Sequence, residues 1–192
     1  DRLRSRGLGD VYKRQPMNVL IRRIRLVKDL QNNLQNRDGK YYGAGEVFLS
    51  YRDARTRVQE LKDEIYENAQ DLVYTLCPVQ NRDQPTWEQG ARNLIFGLVL
   101  AFCEDCIKGK MDEKQLLLFN VYHNITRYCS EDTTALREYL LEGRDEFSKV
   151  RGLVNTVLIT SDKTLTSYLS EVNAYMPVSY THLRAHETGA YL

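Results

Sequence analysis

The sequence predicts an all-α fold, a multi-helix bundle packed around one buried central helix. Residues 94–103 are ten consecutive positions that are apolar or Gly, directly after a helix-start signal. The segments on either side repeat apolar residues every three or four positions, the period of one helical face. Short turns carrying Gly, Pro, Ser or Asp separate them, where helices stop and start.

The central stretch, residues 83–107, reads DQPTWEQGARNLIFGLVLAFCEDCI. Pro85 stands at the turn, where its fixed φ suits a helix entry. Thr86 and Gln89 have the T-x-x-Q spacing of a capping box, in which each side chain satisfies an orphan backbone N–H of the other's residue. After Trp87, the positions Ala91, Leu94, Ile95, Leu98, Val99 and Phe102 follow helical spacing. From Leu94 onward the helix is apolar nearly all round, which demands burial on several sides. The apolar run is about half the roughly twenty residues that a bilayer span needs. It reads as the core helix of a soluble domain.

In chain order, residues 18–36 predict a helix with Leu20, Ile24, Val27, Leu30 and Leu34 inward and Arg22, Arg23, Arg25 and Lys28 outward. Such a basic stripe is either a solvated face or a partner-contacting one. Residues 38–45, DGKYYGAG, form a Gly-rich loop bearing Tyr41 and Tyr42, with a short extended piece possible at 47–49. Residues 51–77 predict a long helix on the seam Val58, Leu61, Ile65, Ala69, Leu72 and Leu76, stopped by Pro78. Beyond the core helix, Asp112 and Gln115 open a helix running to about Cys129 on Leu118, Val121, Tyr122, Ile125 and Tyr128. Ser130 is expected to cap a short helix with Ala135, Leu136, Tyr139 and Leu140 inward and Gly143 at its end. Residues 145–158 predict another helix, and Ser161 caps the last, which carries Leu165, Tyr168, Leu169 and Val172. The count is six or seven helices.

Both ends read as translated sequencing adapter. Residues 178–188, VSYTHLRAHET, are what a transposase mosaic end followed by an index adapter encodes; the reverse complement of the same adapter, in another frame, gives residues 5–15, SRGLGDVYKRQ. Residues 1–15 and 178–192 are therefore expected to be adapter-derived and without defined structure, leaving 16–177 as one domain truncated at both sides. His182, His186 and the basic N-terminus carry no functional weight on this reading. The full chain has 27 Lys and Arg against 26 Asp and Glu. Without the ends the balance is 21 against 23, near −2. That excludes the strong positive field of sequence-independent DNA binding. The four cysteines, Cys77, Cys103, Cys106 and Cys129, fit reduced core thiols better than a disulfide framework.

Candidate chemistry is sparse. The 38–45 loop lacks GxxxxGK[ST], so it is no P-loop. Cys103 and Cys106 make a CxxC with His123 and Cys129 downstream, but it lies within a helix and a second Cys pair is missing, so a zinc site is disfavoured. His123 is expected to be a partly buried helix histidine. The acidic pairs on the 51–77 helix read as a solvated face, not as a general acid and base. No catalytic, cofactor-binding or metal residue is assigned.

The segment 84–94, QPTWEQGARNL, resembles the D-P-x-W-E-x-x-A-x-x-L helix start of type IV secretion coupling proteins of the TraG/TraD kind. Pro85, Trp87, Glu88, Ala91 and Leu94 are the matching positions; Gln84 stands in place of the usual Asp. Residues 17–21, MNVLI, sit where the family has NPLxxI, with Val19 for the Pro, and residues 149–176 resemble its returning helical stretch. The resemblance implies an all-alpha substrate-recognition domain, inserted in a RecA-like ATPase that is not part of these residues. It also implies a hexameric parent using ATP and Mg at the cytoplasmic face of the bacterial inner membrane. The implied partners are a relaxase, relaxosome or other secreted protein substrates, with DNA reached through the motor and no membrane contact by the bundle itself. On that reading the candidate contact surfaces are the Arg22, Arg23, Arg25 and Lys28 face and the Tyr41 and Tyr42 loop. Two other readings stand beside it: a stand-alone helical adaptor, and a metal-dependent enzyme using Cys103, Cys106, Cys129 and His123.

Overall fold

The computed structural model describes residues 16–35, 40–43, 45–48, 50–78, 86–130, 133–146 and 148–188, the last of these as backbone alone from 177. Among them are seven α-helices: α1 (Pro16–Asn33), α2 (Tyr51–Leu76), α3 (Thr86–Ile107), α4 (Leu118–Ser130), α5 (Thr133–Arg137), α6 (Lys149–Leu158) and α7 (Asp162–Thr188). A small antiparallel hairpin, β1 (Tyr41–Gly43) with β2 (Glu46–Phe48), joins α1 to α2. The fold is the expected all-α bundle.

α3 is its axis. It packs against α1, α2, α4, α6 and α7, and every residue from Leu94 to Cys103 is buried. Leu94, Phe96, Leu98 and Phe102 are fully enclosed. Each such side chain stabilises the fold by about 1.5–3 kcal/mol relative to exposure, so the burial of this one helix rivals the net stability of an ordinary domain. Two glycines let its neighbours come close. A Cβ on Gly90 would stand 2.3 Å from the Tyr168 ring of α7, and one on Gly97 would stand 2.2 Å from Val154 Cγ1 of α6. Neither helix could sit at that distance over a larger residue.

α2 buries the expected seam from Val58 to Leu72, with Ala54 and Val73 added and Leu76 only partly covered. Ser50 caps it by accepting from the Arg52 N–H at 3.1 Å. The Gly-rich loop is shaped by contact with α1: a Cβ on Gly43 would lie 2.8 Å from Leu30 Cα.

Four local expectations need correction. The helix predicted from Asp112 is interrupted. Asp112 caps only a 3-10 turn, Glu113–Leu116, accepting from Lys114 N–H at 2.7 Å, and Leu117 is extended before α4 begins. Ser130 is not an N-cap; it ends α4 and donates to the Thr126 carbonyl at 2.7 Å. The short helix passes into a π-turn, Glu138–Glu142, closed by Gly143 N–H donating to the Glu138 carbonyl at 2.8 Å. The next helix starts at Lys149, because Ser148 accepts from Val150 N–H at 3.2 Å. At Asp112 and Ser148 a side-chain oxygen bonded locally and set the boundary where the apolar period alone did not.

The last helix begins where expected, with Ser161 accepting from Thr164 N–H at 3.3 Å. It then continues to Thr188, so residues 178–188 are helical where the adapter reading expected no defined structure. That stretch contains neither Gly nor Pro. Extending an already nucleated helix is easy whatever the origin of its residues. Residues 1–15 and 189–192, also read as adapter, lie outside the described residues.

The Gly97 contact yields a test. Gly97→Ala gains about 1 kcal/mol of helix propensity but overpacks against Val154, which costs about 1–3 kcal/mol. We expect net destabilisation of about 1 kcal/mol in urea unfolding, largely cancelled in a Gly97→Ala/Val154→Ala pair when compared with Val154→Ala alone. Simple additivity of the two substitutions would refute the close contact.

Candidate functional site

The basic stripe of α1 is mostly used within the fold. Arg25 Nε and Lys28 Nζ both reach the Glu113 carboxylate of the 3-10 turn, at 2.6 and 3.0 Å. Arg23 Nε pairs with Glu64 of α2 at 2.9 Å. Of the four predicted contact residues only Arg22 is exposed with no ion pair among the described residues. Partial burial of Glu113 works against its ionisation, but the hydrogen bonds from Arg25 and Lys28 outweigh it and hold its pKa below the ordinary carboxylate value. A second hub lies beside it: Arg57 pairs with Glu60 at 3.0 Å, Glu64 at 3.2 Å and Glu46 of β2 at 3.6 Å. Most acidic residues of α2 are exposed, as a solvated face requires, while Glu64 also ties α2 to α1.

The two loop tyrosines separate in role. Tyr41 packs against the core and meets Tyr51 edge-on at 5.9 Å. Tyr42 is 48% exposed, and its cross-strand partner Val47 is 59% exposed. Only Tyr42 is placed to touch a partner.

The tryptophan segment is structural. Ala91 and Leu94 are fully buried in α3, and Trp87 lies on the Tyr168 ring at 5.4 Å while keeping 38% of its surface exposed. The Tyr175 hydroxyl of α7 donates to the Pro78 carbonyl at 3.2 Å, with the Glu88 carboxylate nearby. Pro85 lies outside the described residues.

A buried ionic network at the C-terminal half of α3 has no counterpart in the sequence reading. Asp105 Oδ1 and Oδ2 accept from Arg144 Nη1 and Nη2 at 2.7 and 2.9 Å, a two-pronged pair, and both residues are buried. Tyr139 Oη donates to Asp105 Oδ2 at 2.8 Å, and the Arg144 guanidinium lies over the Tyr139 ring at 4.6 Å. Tyr139 stacks in turn on Tyr128 of α4 at 4.4 Å. Burial pushes the Tyr139 hydroxyl well above its ordinary pKa, and the Asp105 carboxylate adds to this, so it remains a donor. The π-turn brings Tyr139 into this position, and Gly143 delivers Arg144. The sequence signal was available: Asp105 sits three and four residues after buried Phe102 and Ala101, on the apolar side of the helix, where a charge requires a partner.

On the other side of Asp105, α2, α3 and the start of α6 enclose a cleft of about 390 Å³. Its floor is Leu100 and Cys103; Ile65, Tyr66 and Ile107 make apolar walls. Three lysines stand around it. Lys108 pairs with Asp145 at 2.9 Å, and Lys149 pairs with Asp63 at 2.6 Å while lying over the Tyr66 ring at 4.7 Å. The hydrogen bond from Lys149 holds the Asp63 carboxyl below its usual range. Glu104 accepts from Ser148 at 2.8 Å and lies 3.6 Å from Arg144. Lys62 has no ion pair among the described residues.

The cysteine and histidine readings fare differently from one another. Cys77, Cys103, Cys106 and Cys129 are all free and buried, as core thiols should be. Burial first, then the Glu113 carboxylate, pushes Cys106 up to about 12, and burial does the same for Cys129. Thiols so raised are poor nucleophiles. His123 is exposed, not partly buried as expected. No group of three or more His, Cys, Asp or Glu that could hold a metal occurs among the described residues, and none of their helices is long and apolar enough to cross a membrane.

No protein-family model, curated protein or solved structure matches the chain.

Two tests follow. Asp105→Asn leaves Arg144 buried without its counter-charge and should destabilise the fold by about 3–5 kcal/mol in denaturant unfolding, whereas an apolar Asp105→Leu/Arg144→Met pair should cost less. If the single change is no worse than the pair, the network is not desolvated. For Glu113, the folded pKa is depressed below the ordinary glutamate value of 4.5. Its contribution is therefore fully present above that value and lost as pH falls through the folded pKa. Glu113→Gln should lower stability at pH 7 and flatten its decline below about pH 4.5. Parallel wild-type and variant acid-unfolding curves would contradict the assignment.

Proposed function

We propose that this bundle is the substrate-recognition domain of a type IV secretion coupling protein, a rigid reader presented by a nucleotide-driven motor to proteins bound for a conjugation channel. The observation that carries the reading is the match between the tryptophan-led segment and its position in the fold. Ala91 and Leu94 are fully buried at the start of the axis helix, and Trp87 closes that start against Tyr168. The resemblance requires the segment to open a core helix of an all-α domain. The exposed end of the hairpin, with Tyr42 and Val47, is the contact surface we favour, since tyrosine gives contact area at low entropic cost. The α1 stripe is a weaker candidate, because binding a partner through Arg25 or Lys28 would break their pairs with Glu113.

The genomic locus read through on both sides tests this directly. A GxxxxGK[ST] strand upstream and an acidic Walker B strand downstream are expected; stop codons hugging the bundle would favour a stand-alone helical adaptor instead. In the full-length protein, Tyr42→Ala should weaken capture of a relaxase-type substrate without altering the melting temperature. Arg25→Ala should act mainly through stability. Unchanged capture by the Tyr42 variant would remove the hairpin from the interface.

A further inference from the structure

We propose that the cleft between α2, α3 and α6 binds a small neutral aromatic molecule carrying one hydrogen-bond donor, an indole or a phenol in kind. The proposal does not depend on the secretion reading. The charges around the cleft cancel. Lys62, Lys108 and Lys149 stand against Asp63, Glu104 and Asp145, and Arg144 is matched by Asp105 behind them. Neither sign of ligand is drawn in, and a charged one would give up its hydration over an apolar floor with no counter-charge left to meet it. That floor and its walls set the body of the ligand. Ile65, Leu100 and Cys103 are nearly fully buried beneath the cleft, with Ile107 and Tyr66 alongside. A tyrosine ring and a polarizable sulfur both favour an aromatic neighbour. The volume, about 390 Å³, lies in the range of small-molecule pockets.

Glu104 sets the polar end. A carboxylate offers about four lone-pair sites. Among the described residues the only hydrogen-bond donor to this one is the Ser148 hydroxyl, a single proton 2.8 and 2.9 Å from the two oxygens. Arg144 Nη1 stays 3.6 Å away, engaged with Asp105 at 2.7 Å. Glu104 lines the cleft with 20% of its side chain exposed. A ligand N–H or O–H placed there makes a charge-assisted hydrogen bond without carrying a charge into the cleft. An acceptor end would have to recruit Lys62, which no ion pair holds among the described residues and which would lose side-chain freedom on being fixed. Glu104 is already held by Ser148. The aromatic wall is held too: Tyr66 has the Lys149 ammonium over its ring at 4.7 Å and Phe96 at 5.1 Å. Little ordering is then left for a ligand to induce.

The test is an NMR amide-shift titration of the full chain with four probes. These are indole, benzofuran (the same bicycle with an acceptor oxygen in place of the N–H), and the charged relatives indoleacetate and tryptamine. Indole is expected to bind with a Kd of about 1 mM or tighter, the range open to a ligand of about nine heavy atoms, and to move the amides around Ile65, Leu100 and Glu104. Benzofuran should bind about tenfold more weakly, the value of a hydrogen bond to a charged acceptor. Neither charged relative should bind more tightly than indole. Glu104→Gln keeps an acceptor for Ser148 but not the charge, so it should weaken indole about fivefold and leave benzofuran unchanged. The comparison of indole with benzofuran needs no variant, so a folding defect in Glu104→Gln leaves it standing. The proposal is overturned by absence of indole binding, by benzofuran binding as tightly as indole, by tighter binding of a charged relative, by shifts centred away from the cleft, or by unchanged indole affinity in a folded Glu104→Gln.

Discussion

The whole structure depends on enclosing one helix from every side. A helix on a protein surface can leave charges and capping groups to water; α3 cannot, from Leu94 to Cys103. Two consequences follow. Where α6 and α7 cross closest, the helix must be narrow, and Gly90 and Gly97 make it so despite their cost in helix propensity. Where a charge falls on the enclosed side, it must be met inside the protein, and Asp105 is met by Arg144 and Tyr139. The second solution explains otherwise odd features of the chain: a π-turn that advances Tyr139 and a Gly143 turn that returns Arg144 to α3. An ion pair of this kind adds little net stability over an apolar pair, but it admits only one register between α3 and the segment before α6.

The remaining charges assemble the outer helices. Glu113 binds α1 to the turn after α3, Glu64 binds α1 to α2, and Asp63 binds α2 to α6. Individually such partly exposed pairs contribute about 0–1 kcal/mol. Their value lies in specifying which face meets which, since an apolar stripe alone tolerates rotation. This is why the α1 stripe, conspicuous as four cations in a row of text, loses most of its availability once folded.

The fold class, the axis helix and the inward faces were legible because they rest on period and burial, which are properties of single segments. The CxxC was correctly read as core thiols for the same reason. What could not be read were features that depend on residues far apart in sequence. Arg25 meets Glu113 across 88 positions and Arg144 meets Asp105 across 39. The misplaced helix starts at Asp112, Ser130 and Asp145 share a different cause: several capping residues lay near each boundary, and the local hydrogen bonds of Ser148 and Asp112 decided among them. His123 was expected to be a partly buried helix histidine, yet one position round the helix from half-buried Tyr122 turns it outward. At the candidate site, Tyr42 was legible as a surface aromatic, whereas the cleft was not, because its walls come from three helices.

The cleft and the buried network are two sides of one design. Neighbouring residues of α3 serve both: Cys103 and Glu104 line the cleft, while Asp105 meets Arg144 and Tyr139. Arg144 lies between them, paired to Asp105 and close to Glu104. The inner wall of the cleft is therefore fixed by the same contact that satisfies the one charge on the enclosed side of the axis helix. Its outer wall hangs on exposed lysine pairs that salt can screen. A bundle built this way gives the cleft an inner wall fixed by a buried ion pair and a rim held by surface pairs.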